Sequence, residues 1–310
     1  MLYLQSFSLP DERTETSYII STAPDAYKSM MSCYSQNLYP FKIFPQKQFD
    51  SLSFEPITLL YGGNGSGKST LLNVLARKLN LEHDSPYNNT PFFEEYLSFC
   101  KYSLAPRQTR IPRGSRIITS DDVFDFLLNI RSLNEGVDRR REELFDEYRH
   151  AKEESFTLRS LSDYEELKRH NEAKSKTKNS YVARRLPDRL TSQSNGESAF
   201  AYFCEKIGEN ALYLLDEPEN SLSPLLQLRL AKFLEDSARF FGCQFVISTH
   251  SPFLLAMKSA RIYDLDRTPV TAVHWTETQN ARLYHAFFKT HAQEFVQDET
   301  DLRDFLDAKT

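Results

Sequence analysis

Cysteine is scarce in this chain and long apolar runs are missing, and both absences narrow what the protein can be. The four cysteines, Cys33, Cys100, Cys204 and Cys243, lie far apart without a C-x-x-C pair. This spacing argues against a zinc site and fits reduced thiols in a cytoplasm. No apolar stretch reaches the length needed to cross a bilayer, and the first ten residues lack a basic stretch followed by an apolar core. We therefore expect a cytoplasmic protein without membrane insertion.

The net charge does not indicate a nucleic-acid partner either. A formal net charge of -5 over 310 residues provides no overall attraction to nucleic acid, so any such contact has to be local. The N/T-K-x-D pattern of guanine recognition does not occur, which argues against a GTPase.

Glycine is rare, yet four of the nine glycines lie within six positions, between a strand-like and a helix-like apolar run. This segment satisfies the pattern G-x-x-x-x-G-K-[ST]. In that pattern the glycines let backbone N–H groups turn towards phosphates, the lysine supplies positive charge and the serine offers a hydroxyl to Mg²⁺. A helix that begins near the lysine adds its positive dipole end. The residues predicted to bind nucleotide phosphate are Gly62, Gly63, Asn64, Gly65, Ser66, Gly67, Lys68, Ser69 and Thr70.

Two acids and a histidine follow two later apolar strands. Asp216 at the end of the first of these strands is predicted to hold Mg²⁺ together with Ser69, and Glu217 to polarise the water that attacks the γ-phosphate. His250 follows the second strand, 34 positions after Asp216, where it can hydrogen-bond the γ-phosphate. The predicted catalytic residues are therefore Glu217, His250 and Lys68.

The order of apolar runs and helical patterns predicts an α/β fold of the P-loop NTPase type, with a mostly parallel sheet covered by helices. An antiparallel β edge is expected at the N-terminus, while residues 83–115 read as irregular. The predicted strands are 2–7, 18–20, 52–54, 57–61, 211–215 and 244–248, and predicted helices cover 199–207 and 224–240.

A change of composition after residue 130 predicts an inserted segment. Balanced charges with spaced apolar residues, such as Leu144 and Tyr148, are typical of solvated helices that pack on one face. We therefore divide the chain into a core of residues 1–130 and 190–310 and a charged helical insertion of residues 131–189.

A fourth motif, Ser194-Asn-Gly-Glu197, precedes a predicted helix by a few residues and Asp216 by 22 positions. Together with the glycine-rich segment, Leu214–Pro224 and Ser248–Pro252, it resembles the soluble bacterial ABC-type ATPases of the AAA family, relatives of the RecF/SMC group. The resemblance covers roughly residues 50–80 and 190–295.

The resemblance implies an ATP- and Mg²⁺-dependent ATPase that forms a head-to-tail homodimer around ATP. Lys68 and Ser69 would bind phosphate and Mg²⁺ in one subunit, and Ser194, Gly196 and Glu197 would form the signature loop that covers the nucleotide of the other.

The chain departs from the family pattern at several positions. Asn195 stands where a glycine is usual, Gln193 where a leucine is usual, and the loop 219–223 lacks the usual aspartate. No glutamine occupies the Mg²⁺-sensing position clearly, so the candidates for that position are Ser120, Asp121, Asp122 and Gln108. The candidates for stacking on adenine are Tyr39, Phe41 and Phe44.

Two uses of the ATP cycle are open. One is a switch that acts on DNA or on a nuclease or other protein partner, in repair or phage defence. It draws on a basic run, Lys174 to Arg189, that could contact phosphates or could balance the acidic tail from Asp298 to Asp307. The alternative is the nucleotide-binding subunit of a membrane transporter, which shares the same nucleotide motifs.

Overall fold

The computed structural model of the chain describes residues 1–21, 38–86, 90–153, 175 and 194–295. The chain divides into two compact units, one made of Met1–Val123 and Asn195–Thr310 and the other of Phe124–Ser194.

The elements of the described residues alternate between strands and helices after the N-terminal region. The strands are β1 (Leu4–Ser8), β2 (Ser51–Ser53), β3 (Ile57–Tyr61), β4 (Lys101–Leu104), β5 (Arg116–Ile118), β6 (Leu212–Asp216), β7 (Gln244–Ser248), β8 (Arg261–Asp264) and β9 (Thr271–Val273). The helices are α1 (Glu12–Ser21), α2 (Lys68–Lys78), α3 (Phe93–Phe99), α4 (Ser120–Glu153), α5 (Asn195–Lys206), α6 (Pro224–Phe240), α7 (Pro252–Leu255) and α8 (Gln279–Thr290).

A six-stranded sheet with the order β5-β6-β7-β3-β8-β9 forms the centre of the first unit. All neighbours in it run parallel except β8 and β9. Every residue of β3 and β7 is buried, as expected for parallel strands covered on both faces. The predicted α/β fold with a mostly parallel sheet is thereby confirmed, and the carboxyl ends of β3, β6 and β7 lie side by side.

The N-terminal strands form a sheet of their own, with the order β2-β1-β4 and antiparallel pairing throughout. The strand predicted at 18–20 is wrong, because these residues belong to α1. Tyr18 stacks there on Phe41 with ring centroids 5.1 Å apart, so tertiary packing overrides the β-propensity of Tyr18-Ile19-Ile20. The region expected to be irregular contains α3 and β4.

The charged segment begins as a helix. A short strand, β5, leads into α4, and ion pairs such as Arg140 to Glu143 at 2.7 Å lie along the helix. Leu144 and Tyr148, two of the predicted apolar positions, are buried. Apart from Ser175, the rest of the predicted insertion lies outside the described residues. The same holds for Gln193, the basic residues from Lys174 to Arg189 and the acidic tail.

Candidate functional site

The glycine-rich loop joins the end of β3 to the start of α2 at the carboxyl edge of the sheet. Gly67 has φ +96°, and a Cβ there would lie 3.1 Å from Ile43 Cγ2. A Cβ on Gly62 would lie only 2.7 Å from Ser66 Oγ. Both positions therefore require glycine. Ser66 Oγ is buried and has no hydrogen-bond partner among the described residues, so it remains available to an acceptor such as phosphate.

Lys68, the first residue of α2, is buried and reaches back over the loop. Its Nζ donates to the carbonyls of Gly62 at 2.9 Å and Gly63 at 3.2 Å, and lies 2.7 Å from His250 Nε2. Lys68 Nζ is also 3.5 Å from Glu217 Oε1. The loop lysine thus contacts both other predicted catalytic residues.

Asp216 ends β6 opposite the first turn of α2. Its Oδ1 accepts hydrogen bonds from Ser69 Oγ at 3.1 Å and from Ser248 Oγ. Burial raises the pKa of Asp216, while the two hydroxyl donors act to lower it. A hydroxyl and a carboxylate are hard oxygen donors of the kind that Mg²⁺ prefers. The residues present therefore fit a Mg²⁺ ion held through Ser69 and Asp216.

Glu217 follows in a left-handed backbone conformation, with φ +47°. Its N–H donates to Ser248 O at 3.1 Å and Ser248 Oγ at 3.0 Å, which holds the turn against β7. Burial acts to raise the pKa of the carboxyl, but the hydrogen bond from Asn220 and the charge of Lys68 outweigh it, so the pKa is lowered. Glu217 therefore carries the charge that a water-polarising group needs.

His250 lies where β7 has ended. Its Nε2 is 3.1 Å from Glu217 Oε1, and its carbonyl accepts a hydrogen bond from Asn280 Nδ2 at 3.2 Å. The structure therefore brings Lys68, Ser69, Asp216, Glu217 and His250 together at one edge of the sheet. These groups can hold a phosphate, a divalent cation and a water molecule at adjacent positions.

The fourth motif, Ser194 to Glu197, does not form the loop that was predicted for it. Helix α5 begins at Asn195, so Gly196 and Glu197 lie in its first turn and not in a loop before a helix from residue 199. Ser194 and Glu197 are exposed. The three atoms nearest to a Cβ built on Gly196 belong to Leu226, Ser221 and Ser223, not to the glycine-rich loop.

Some of the candidates for adenine stacking and for Mg²⁺ sensing have structural roles. Phe41 and Phe44 are buried in the core, so they are wrong as adenine-stacking residues, and Tyr39 is partly buried and packs on Phe93. Asp122 Oδ2 accepts from Thr119 N at 2.7 Å and Thr119 Oγ1 at 2.9 Å, so this oxygen caps the start of α4. Ser120, Asp121 and Gln108 stay predictions for Mg²⁺ sensing.

Two acids of the site were missed by sequence reasoning. Asp266 Oδ2 accepts a hydrogen bond from Gly63 N at 2.6 Å, and Glu219 Oε1 accepts from His250 N at 2.6 Å. Glu219 follows Glu217 by two residues, so its place near the acidic motif was a signal. Asp266 has no such signal, because only the pairing of β8 with β3 brings it to the loop.

The family model described as ABC transporter matches residues 51–220, more than half of the chain. The chain belongs to the ABC transporter family. As a member of this family it is an ATPase cassette that binds and hydrolyses ATP. A second model matches residues 194–256, and its description names an AAA domain, the AbiEii toxin and a Type IV TA system.

None of the curated proteins compared with the chain matches it. Among solved structures, the Smc head domain of Pyrococcus furiosus, with an extended coiled coil and bound to the C-terminal domain of ScpA, is 15% identical. It covers 95% of this chain and 100% of its own, with a TM-score of 0.40. The SMC head domain of Thermotoga maritima is 14% identical, covers 87% of this chain and 98% of its own, and has a TM-score of 0.39.

An ATP-binding cassette in a dimeric post-hydrolysis state with ADP and Pi is also 14% identical. It covers 73% of this chain and 88% of its own, with a TM-score of 0.35. In the part of the chain that the structure describes, none of the helices combines the length and apolar character needed to span a bilayer.

Proposed function

We propose that this ABC ATPase is a dimerising ATP switch. ATP and Mg²⁺ lie on the glycine-rich loop of one copy, where Ser69 and Asp216 hold Mg²⁺ and Glu217 orients the attacking water. His250 and Lys68 contact the γ-phosphate. The core comprises residues 1–130 and 190–310, and residues 131–189 are a charged helical insertion.

The proposed dimer is supported by the separate positions of two sets of residues. The groups that act on phosphate already lie within hydrogen-bonding distance of one another in a single chain. Ser194 and Glu197 are exposed, and the nearest neighbours of Gly196 lie elsewhere. The N-terminal end of a helix suits a phosphate, and a second copy provides one. Ser194, Gly196 and Glu197 therefore cover the nucleotide of the partner.

The mass of the protein with and without ATP tests this proposal. In an E217Q background, where ATP persists, light scattering should show a dimer with ATP and a smaller species without it. Ser194→Arg should weaken the dimer, because a bulky side chain takes the place of close contact. Gly196→Arg is a poorer probe, since even a Cβ there lies 2.8 Å from Leu226 Cδ1.

Glu205→Arg is the matched control, because Glu205 is exposed near the other end of the same helix. It should leave the dimer intact. A monomer under both conditions, or a dimer that forms without ATP and ignores Ser194→Arg, would contradict the proposal.

We further propose that opening and closing acts on DNA or on a nuclease partner, in repair or phage defence. The description of the second family model, with its toxin and Type IV TA system, supports a defence role. If the basic run tracks a nucleic-acid backbone, DNA affinity should fall steeply with added salt. Replacing Lys174, Lys176 and Lys178 by Glu should flatten that dependence and leave basal ATP turnover unchanged. Absence of salt-dependent binding by the wild type would leave a protein partner as the target.

A role as the nucleotide-binding subunit of a membrane transporter is the second candidate, and the description of the matched family favours it. The two candidates differ in the partner. Purification from membranes and from the soluble fraction separates them, because only a transporter subunit copurifies with an integral membrane protein.

A further inference from the structure

Glu219 is a buried acid that the proposed chemistry does not use. It lies in the short 3-10 turn Pro218–Ser221 that follows Glu217. Its Oε1 accepts three hydrogen bonds from one neighbouring segment: His250 N at 2.6 Å, Ser251 N at 3.1 Å and Thr249 Oγ1 at 2.8 Å. One carboxyl oxygen thus accepts hydrogen bonds from three consecutive residues, and His250 is the middle one.

The N–H of His250 depends on Glu219 because the strand ladder has ended, whereas Ser251 N also donates to Thr249 Oγ1 at 3.0 Å. Thr249 N still donates to Leu60 O at 3.1 Å, beyond the last residue of β7. The next N–H, on His250, points away from β3 and is directed at Glu219. Buried N–H groups nearly always have an acceptor. Glu219 therefore completes the hydrogen bonding of the turn that presents His250.

The turn places the imidazole between two other groups of the site. His250 Nε2 lies 2.7 Å from Lys68 Nζ and 3.1 Å from Glu217 Oε1. Glu219 holds the main chain of His250 on its N–H side, and Asn280 holds the carbonyl at 3.2 Å. Glu217 precedes the turn that contains Glu219, and its carbonyl accepts a hydrogen bond from Asn220 N at 3.2 Å. A shift of Glu219 therefore changes the distance between Glu217 and His250.

Only one oxygen of Glu219 takes part. Oε2 is buried and has no hydrogen-bond partner among the described residues. Burial raises the pKa of Glu219, and the bonds from His250 N and Thr249 act to lower it. His250 N and Thr249 Oγ1 need an acceptor at the position of Oε1, and an amide oxygen supplies the same acceptor.

We propose that Glu219 is a positioning residue that sets the main-chain placement of His250 against Glu217, through the three hydrogen bonds of Oε1. It acts on the hydrolysis step more than on ATP affinity, because none of its three bonds reaches the glycine-rich loop, where Lys68 keeps its own contacts. This inference rests on the proposed roles of Glu217 and His250.

Three substitutions of Glu219 test the idea by turnover and by ATP affinity, measured separately. Glu219→Gln keeps an acceptor and should keep kcat within about threefold of the wild type. Glu219→Leu has a similar size but no acceptor, and should lower kcat at least about tenfold with the Kd for ATP within about threefold. Glu219→Asp, which withdraws the oxygen by one methylene, should fall between them. Glu205→Leu, at an exposed site, is the control for the loss of a carboxyl.

The outcomes separate the positioning role from other roles. Normal kcat in Glu219→Leu overturns the proposal, and so does an equal loss in Glu219→Gln, because charge and not an acceptor would then be required. A loss of both ATP affinity and kcat would contradict the proposal, because it would show that Glu219 maintains the fold and does not act on hydrolysis alone. If Glu219→Leu is insoluble, the order of Gln above Asp carries the test. Turnover by Glu217→Gln serves as the reference, because normal activity there refutes the proposed function itself and not the role of Glu219.

Discussion

The carboxyl edge of the main sheet and the aromatic cluster beside the N-terminal sheet are built in opposite ways. At the sheet edge, Lys68, Glu217 and His250 contact one another through polar atoms, and Asp216 accepts a hydrogen bond from Ser69. Of these residues Lys68 is buried, while Asp216, Glu217 and His250 stay partly open. In the aromatic cluster, Tyr18, Phe41, Tyr96 and Phe99 pack ring against ring with centroids 4.9 to 6.5 Å apart.

Each region also holds one buried acid, and the two acids differ in their donors. Glu219 receives three hydrogen bonds from the turn of His250. Glu15, beside the aromatic rings, receives one from Lys42 N at 2.7 Å, and its other oxygen has no partner among the described residues. Burial without sufficient donors favours the neutral acid. The first region therefore pairs its buried acid with hydrogen-bond donors, and the second mainly excludes water, so substitutions should separate activity from stability.

The largest effect is expected in the aromatic cluster. Phe41→Ala removes a buried ring that contacts Tyr18 and Tyr96 and should lower the free energy of unfolding by about 3–5 kcal/mol. Urea unfolding measures it. Phe287→Ala is the matched control, because Phe287 is 54% exposed and should change stability by less than about 0.5 kcal/mol. A loss of ATP affinity in folded Phe41→Ala would revive a role in adenine binding and break the comparison.

Lys68→Ala should reduce ATP affinity with little change in stability. The substitution removes the only buried cation that faces the glycine-rich loop among the described residues. A hydrogen bond to a charged group contributes about 1.5–3 kcal/mol, so affinity should fall roughly tenfold to hundredfold. Isothermal titration with ATP and Mg²⁺ measures it. Lys78→Ala, in the last turn of the same helix, should bind ATP normally, and unchanged affinity in Lys68→Ala would mean that the loop does not hold the nucleotide.

Glu217→Gln should slow ATP hydrolysis without preventing ATP binding. The amide keeps the size of the side chain and loses the charge that polarises water, so turnover should fall at least about tenfold while ATP still binds. Phosphate release and ATP titration on the same preparation measure the two quantities. Glu209→Gln at an exposed position should turn over normally. A Glu217→Gln protein with wild-type turnover would assign the water-polarising role to another group.

The smallest effect concerns Glu15, whose pKa burial raises from the ordinary value of 4.5 to about 7. Between these pH values the native state holds a proton that the unfolded chain has released, so the free energy of unfolding falls as pH rises through this window. Glu15→Gln removes this dependence and should stabilise the protein at pH 8 by about 1 kcal/mol, because the amide donors that replace Oε1 find no acceptor and offset part of the gain.

Urea unfolding of both proteins at pH 5 and pH 8 measures the Glu15 effect. Equal pH dependence in the two proteins would show that Glu15 is charged in the native state and would remove the contrast between the two buried acids.

Local chemistry explains what could be predicted. The phosphate loop is readable because each of its positions has a separate requirement, a glycine where a Cβ would collide and a lysine or hydroxyl where a phosphate oxygen or Mg²⁺ needs a partner. Strands β3 and β7 and helix α6 follow from apolar periodicity, and α6 begins and ends at the predicted residues. Asp216, Glu217 and His250 follow because parallel strands end at one edge of a sheet.

The tertiary structure alone decided the parts that depend on distant residues. Tyr18 to Ile20 favour a strand by composition, but aromatic partners from beyond residue 38 hold them in α1. Phe41 and Phe44 are candidates for an exposed adenine contact in the sequence and become core residues in the fold. Glu219 and Asp266 are ordinary surface acids by composition, and only the neighbouring ends of β7 and β8 turn them into acceptors for His250 and Gly63. In these two hydrogen bonds the donor and the acceptor lie 31 and 203 positions apart. Only the order of the strands in the sheet brings them together.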